Sequence, residues 1–515
     1  MKRLMFLALS CVSILQAQMG KTVDWWVFGG NAQRTGWEKS EGRFSKDDVK
    51  DFRFLWSRKI NNAKQGVGTV LPPVILGNLI GYRGFKELAF VAGSGNSLWS
   101  IDSDLDRMYW EKHFVGEQPP KRSKNSKQTC SSALTATPAL PGPVVFHAPV
   151  PGRPAAATNT TTRLRRVRPV YLLTGDGLLH QLNEEDGSEL EKPRQFVTPG
   201  APAQGLNISE QTLYTSTQAA CGHPAAVWSL DTSEPETEAK SVKLGADIAG
   251  LGGVVLGSDG MAFVQTKEGP LEVDKGKFGD TLVTLNKDLR VSQYFVTPAA
   301  PGKKNESPDM NSISPLVVTL NGQQLVIAAG KDGRLYVLKA SQLGGDDHHH
   351  YTSQSLPLPA LDGNKSHGIW GGLSSWQDTD GPVYVLAPVW GPLSEELQAA
   401  IPGANSPHGS VVAFRLEERD HVITLTPAWV SPDLDSPVPP VIAKGVVFAL
   451  ANGKLKKGGH ATLLALDGVT GKPIYSTGDQ VTVPGNLTGL SIANGRVYFV
   501  TLDNTLQVFG KYLEH

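Results

Sequence analysis

The sequence predicts an all-β chain: an eight-bladed β-propeller of four-stranded antiparallel blades, the last blade closed by an N-terminal strand. Three observations lead there. Short apolar runs alternate with turn residues, a strand–turn–strand motif recurs eight times, and an unpaired early strand is matched by a final blade that runs out of chain.

Among 515 residues there are 55 glycines and 35 prolines, and the apolar runs between them are rich in Val, Leu, Tyr and Trp. That is the texture of many short strands and turns. Basic and acidic residues number 49 each, so no global field steers the chain toward nucleic acid or an acidic membrane surface.

The opening "MKRLMFLALSCVSILQAQ" sets Lys2 and Arg3 before an apolar stretch from Leu4 to Leu15, with a small residue at Ala17. This is the form of a secretory signal over residues 1–17. Cys11 is an alternative lipid acceptor, although "ALSC" fits a lipobox poorly. No later segment approaches roughly 18 uninterrupted apolar residues, so no transmembrane helix is expected in the mature chain. The expected location is exported, periplasmic or secreted. There Cys130 and Cys221 form an isolated pair, either bridged by a disulfide or buried as two thiols.

The motif is clearest in "AGSGNSLWSI" (92–101), "LTGDGLLHQL" (173–182), "AGKDGRLYVL" (329–338) and "VTLDNTLQVF" (500–509). Its turn pairs, Gly95-Asn96, Asp176-Gly177, Asp332-Gly333 and Asp503-Asn504, are residue types that tolerate positive φ. Four further copies keep the second strand: Val227 to Leu230, Leu282 to Leu285, Val411 to Phe414 and Leu463 to Leu466. The spacing, about 43 to 81 residues, accommodates one four-stranded unit plus loop insertions.

The final copy, "LSIANGRVYFVTLDNTLQVFG" (490–510), supplies only three strands. "FRFLWSRKI" (52–60) is the strand expected to complete it and remove an exposed edge. The organisation is then a signal at 1–17, an N-terminal extension at 18–51 and a single propeller at 52–515. Insertions at 115–130, 141–168, 299–312, 343–367 and 389–409 are expected to project from the faces, with a short helix in "SEELQAAI" (394–401).

"DWWVFGGNAQRTGW" (24–37), "ELAFVAGSGNSLWSIDSDLDRMYWEKHF", "LVIAAGKDGRLYVLKASQLGG" and "LLALDGVTGKPIYSTG" together resemble the PQQ-like, quinoprotein-type eight-bladed propellers over nearly the whole mature chain. The resemblance implies that fold. It spans two kinds of function, since the family holds both quinone-dependent alcohol dehydrogenases and non-catalytic envelope scaffolds of the BamB type. The adjacent cysteine pair of the dehydrogenases and the C-x-x-C-H of their haem domain are both missing here. No calcium ligand or catalytic aspartate carries over to a numbered residue.

Two stretches are candidate sites. In "GGDDHHHY" (344–351), an extended backbone would turn Asp346, His348 and His350 to one side as metal ligands; the alternative is a solvated loop. In "SHGIWGGLSSW" (366–376), Gly371 and Gly372 would let a cofactor approach the axial channel, with Trp370 or Trp376 stacking on it. The alternative there is packing between blades. "RLRRVR" (163–168) is expected to be a solvated loop or strand start, and "GLSIA" (489–493) lacks the strand-to-helix turn of a serine elbow. The function expected is an exported binding or scaffold module, taking an envelope or extracellular protein, a glycan or a small molecule on its faces. The alternative is a PQQ- and calcium-dependent oxidoreductase acting on an alcohol or sugar.

Overall fold

The computed structural model describes residues 23–62, 69–81, 84–115, 134–142, 167–220, 222–296, 313–330, 332–360, 364, 366–379, 381–453 and 458–511. Cys11, Cys130 and Cys221, the signal segment and residues 163–166 lie outside the described residues.

Eight antiparallel sheets form a ring. Blade one is Val74–Gly81, Gly84–Gly93, Ser97–Asp102 and Arg107–His113, from the axis outward. Each of the eight sequence repeats falls on the third strand of a blade. These strands are Ser97–Asp102, Leu178–Leu182, Ala226–Asp231, Thr281–Leu285, Leu335–Lys339, Gly409–Arg419, Thr462–Asp467 and Thr505–Gly510. The motif is so regular there because a third strand is buried on both faces between neighbouring blades. In the four clearest copies the second turn residue has positive φ: 53° at Asn96, 81° at Gly177, 78° at Gly333 and 64° at Asn504.

Arg53–Lys59 pairs antiparallel with Thr505–Gly510, from Arg53 against Gly510 to Lys59 against Thr505. Blade eight is thus completed by early chain, as the sequence predicts, and Thr505–Gly510 is no longer an edge strand. Glu395–Ala400 is the expected short helix, capped by the Ser394 hydroxyl.

Three blades depart from the four-stranded pattern: blade seven gains Trp37–Glu38 as a fifth strand, parallel to Val441–Ala443, and two others are altered at the inner strand, each for a local reason. In blade two the inner strand is reduced to an isolated pairing of Ala139 with Tyr171, because Pro138 and Pro141 flank it and neither offers an N–H. In blade six the inner strand breaks between Gly368–Ile369 and Ser374–Gln377. There Gly371–Gly372 swings over to pair parallel with Ile313–Ser314 of blade five.

The apolar core is divided among the seams between blades. Val74, Leu98, Leu140 and Leu172 fill the seam of blades one and two, for example, and Leu325, Val337, Val385 and Phe414 that of five and six. The seams flanking blade eight merge into one cluster that includes Trp25, Trp56, Phe448 and Phe499.

Candidate functional site: the axial channel

The ring's axis is the natural place for a ligand, and the chain upstream of the propeller occupies it. Trp25 pairs with Ile75 of blade one, and the Trp26 carbonyl accepts from Leu140 N–H of blade two. The Ala32 carbonyl takes Asn207 Nδ2 of blade three and Leu256 N–H of blade four. The carbonyls of Gln33, Thr35 and Gly36 then accept from Val317, Ser375 and Ile442 of blades five, six and seven. Glu41 Oε2 finally accepts from Gly495 N–H of blade eight at 2.8 Å. Residues 24–41 therefore make one circuit of the channel mouth, meeting the blades in order. Most of the partners lie on the inner strands, whose axis-facing backbone groups would otherwise be unpaired.

From this strap two side chains enter the channel. Phe28 lies beside Gly205 and Gly489; a Cβ on Gly205 would come within 3.1 Å of the Phe28 Cβ, and one on Gly489 would touch the ring at 3.7 Å. Arg34, 4 % exposed and at φ 60°, donates Nη1 to Phe28 O at 2.6 Å and Nη2 to the carbonyls of Gly205, Leu206 and Gly252 at 3.0–3.1 Å. Burial pushes its pKa down to about 9, so the guanidinium remains charged at neutral pH. What remains at the centre is a cavity of about 30 Å³ bounded by Arg34, Gly252, Ser314, Gly372 and Pro439.

At the other mouth, where the inner strands begin, the described residues leave the channel uncovered. A recess of about 320 Å³ there is lined by Leu71, Thr135, Thr137, Gln218, Lys267 and Thr488, with Phe28 at its floor. Gln204 and Gln218 also reach it, but their amides are spent on the carbonyls of Ile248 and Gly250.

These residues do not fit a calcium–quinone pair. Calcium takes six to eight oxygens, usually with carboxylates among them. Neither the central cavity nor the open recess has an aspartate or glutamate in its described lining, and the buried Arg34 charge would repel a divalent cation. A carboxylate general base for alcohol oxidation has no counterpart in that lining either.

Of the sequence candidates, Gly372 lines the central cavity and Gly371 lies beside Leu251 and Pro439. The two tryptophans each stack on another aromatic ring of the protein. Trp370 is stacked on Trp390 at 4.5 Å, and Trp376 on Tyr384 at 5.0 Å in the seam of blades six and seven. The histidine tract is a turn rather than an extended strand, closed by a Gly344–His350 bridge. His348 stacks on Tyr294 at 3.8 Å, and Asp346, His348 and His350 are not gathered into a ligand set. Among the described residues no group of three or more His, Cys, Asp or Glu is placed to hold a metal. Arg168, at the end of the arginine run, donates to Asp24 at 2.7 Å and anchors the strap.

A triad-like set lies elsewhere: Thr174 Oγ1 is 3.1 Å from His180 Nε2, and His180 Nδ1 is 2.9 Å from Glu189. It is architecture. The Thr174 hydroxyl bonds Asp176 and the Leu178 carbonyl within its turn, and Thr501 makes the same bonds to Asp503 and Thr505 in blade eight, where Gln507 replaces the histidine. Thr174 is also buried, with the Phe114 ring over His180.

No family model and no curated protein matches the sequence. Solved structures do. The quinohemoprotein alcohol dehydrogenase of Comamonas testosteroni is similar over 98 % of this chain and 82 % of its own, at 14 % identity and a TM-score of 0.53. The quinohemoprotein alcohol dehydrogenase ADHIIG of Pseudomonas putida HK5 is similar over 95 % and 81 %, at 13 % identity and 0.56. A europium-containing methanol dehydrogenase is similar over 95 % and 89 %, at 12 % identity and 0.56. At such identities the likeness speaks to fold and not to chemistry. With its eightfold repeat and closed ring, the chain is an eight-bladed β-propeller, the fold it shares with these solved quinoprotein structures.

Proposed function

We propose that this protein is an exported binding or scaffold propeller, holding a protein, glycan or small molecule of the cell envelope on its loop-bearing faces. The observation that carries this reading is the filled channel: Arg34 and Phe28 stand on the axis, leaving about 30 Å³ at its centre. The recess of about 320 Å³ beyond Phe28 has no aspartate or glutamate in its described lining to hold a calcium beside a quinone. Binding surfaces remain in the open recess and on the rim, where a depression of about 1010 Å³ between the outer parts of blades two and three is walled by Pro193, Phe196, Trp228 and Pro235. Proline and aromatic walls suit contact with another chain at low entropic cost.

The quinoprotein alternative is tested directly. Purified mature protein is incubated with micromolar PQQ and calcium, then assayed for a quinone absorbance band and for dye reduction with a panel of alcohols and sugars. The expected result is neither band nor reduction. A stoichiometric band with substrate-dependent reduction overturns the reading.

A further inference from the structure

Beyond the axis, the strap walls a groove together with blades five and six. Where it crosses them, the Gln33 carbonyl accepts from Val317 N–H and the Thr35 carbonyl from Ser375 N–H, and Trp37–Glu38 then pairs parallel with Val441–Ala443. The groove so formed holds about 490 Å³, bordered by Gln33, Trp37 and Lys39 of the strap and by Gln324, Ser375 and Gln377 of the blades. Its floor is closed by Val317, Trp376 and Val383, which are 1 %, 2 % and 3 % exposed.

The walls carry hydrogen-bonding groups that are held in place without being used up. Gln324 Oε1 accepts from Ser258 N–H at 2.8 Å, which orients the amide and leaves both Nε2 hydrogens to donate. Gln377 is held from its other end: Nε2 donates to the Gly381 carbonyl at 3.2 Å, and the side-chain oxygen is left to accept. The Gln33 amide, and the hydroxyl of Ser375 on a residue only 4 % exposed, have no hydrogen-bond partner among the described residues. Lys39 is exposed and sets its ammonium 4.7 Å from the centre of the half-buried Trp37 ring.

The residue types narrow the ligand class. No carboxylate, histidine or cysteine is among the described lining residues, so a metal ion finds no ligand set. A single lysine and no arginine is too little charge for a phosphate-rich ligand or a nucleic-acid strand. The apolar residues are buried in the floor, so aliphatic groups would cover little exposed apolar surface there. Amides and hydroxyls beside an indole suit a ligand whose groups both donate and accept and whose ring has a C–H face. Water satisfies the amides and hydroxyls but has no C–H face to offer the indole.

We propose that this groove binds a neutral saccharide, a mono- or disaccharide unit of a glycan; the proposal rests on the binding-module reading above and gives it a ligand class. About 490 Å³ falls within the ~300–1,000 Å³ usual for small-molecule sites. The sugar's C–H face lies on Trp37 in place of Lys39, whose ammonium then donates to a hydroxyl. Gln324 donates to one neighbouring hydroxyl and Gln377 accepts from another. Because both amides are already oriented, less side-chain entropy is lost on binding.

The full mature chain is tested by saturation-transfer NMR and calorimetry against maltotetraose, cellotetraose, chitotetraose and mannotetraose at millimolar concentration. Saturable binding of at least one is expected. Gln33→Leu removes an amide that the fold does not use, and Ser375→Ala removes a hydroxyl. Each should weaken binding about five- to tenfold, with Tm and the circular dichroism spectrum unchanged. Pro235→Ala, in the rim depression, should leave the affinity as it was. Binding of none of these sugars overturns the inference, as does binding that both groove variants leave intact. Either result leaves the binding-module reading standing, since that reading falls only with a quinone band and substrate-dependent dye reduction.

Discussion

Arg496 of blade eight donates to Glu87 of blade one across 3.0 Å, in a seam where their side chains are only 7 % and 2 % exposed. Asn494 donates to the other Glu87 oxygen at 2.6 Å, and the Tyr498 hydroxyl also bonds the carboxylate. Here the last blade meets the first. Arg496→Leu leaves Glu87 buried without its cation, and the expected loss in urea unfolding is about 3–5 kcal/mol.

The same carboxylate sets a pH dependence. Burial pushes the Glu87 carboxyl up, against the opposing pull of Arg496 and the Tyr498 hydrogen bond. The folded chain therefore keeps this proton at pH values where the unfolded chain has released it. This contribution is fully present below the ordinary glutamate range and is lost as pH rises through the folded value. Unfolding free energies of wild type and Glu87→Gln between pH 4 and 8 should diverge in slope, the variant lacking that decline.

An opposite sign is expected at Asp48. The Lys511 ammonium, 2.6 Å away, and then the Ser45 amide and hydroxyl hold its pKa down to about 2. Stability from this pair is present above the ordinary aspartate range and fades as pH falls toward 2. Lys511→Met should raise the pH midpoint of acid unfolding slightly, and high salt should shrink the difference because the pair is partly exposed.

The closing strand is tested by deletion. Removing residues 52–60 strips the partner from Thr505–Gly510 and takes Trp56 out of the merged core around blade eight. A clear drop in Tm and a shift to aggregated species on size-exclusion chromatography are expected. Unchanged melting would mean that the ring closes without this strand.

The strap has its own anchor in Trp25, 1 % exposed and packed in the cluster shared by the two blade-eight seams. Trp25→Ala should cost about 3–5 kcal/mol by calorimetry or urea titration. Limited proteolysis should then cut within residues 24–41 well before any blade. A cut elsewhere first would separate the strap from the channel's integrity.

Much of this architecture was legible in the sequence because it is local. The Asp332-Gly333 and Asp503-Asn504 pairs encode positive φ within a few residues, and each repeat marks a third strand that neighbouring blades bury on both faces. Even the long-range closure by 52–60 could be foreseen, because a missing strand at one end and a spare one at the other leave a single arrangement without edges.

The strap was not legible, and the reason is physical. Residues 24–41 meet the blades chiefly through backbone carbonyls and amides, which every residue carries, so no side-chain pattern announces their partners. Arg34 looks like any arginine in "NAQRTGW" until the ring brings the carbonyls of Gly205, Leu206 and Gly252 around it. Trp370 and Trp376 read alike in "SHGIWGGLSSW", and only the fold brings Trp390 and Tyr384 against them. The sequence by itself determined the ring, because repeats and turns act over short range. The tertiary structure decided that the ring's axis is filled, because that depends on contacts between residues up to several hundred positions apart.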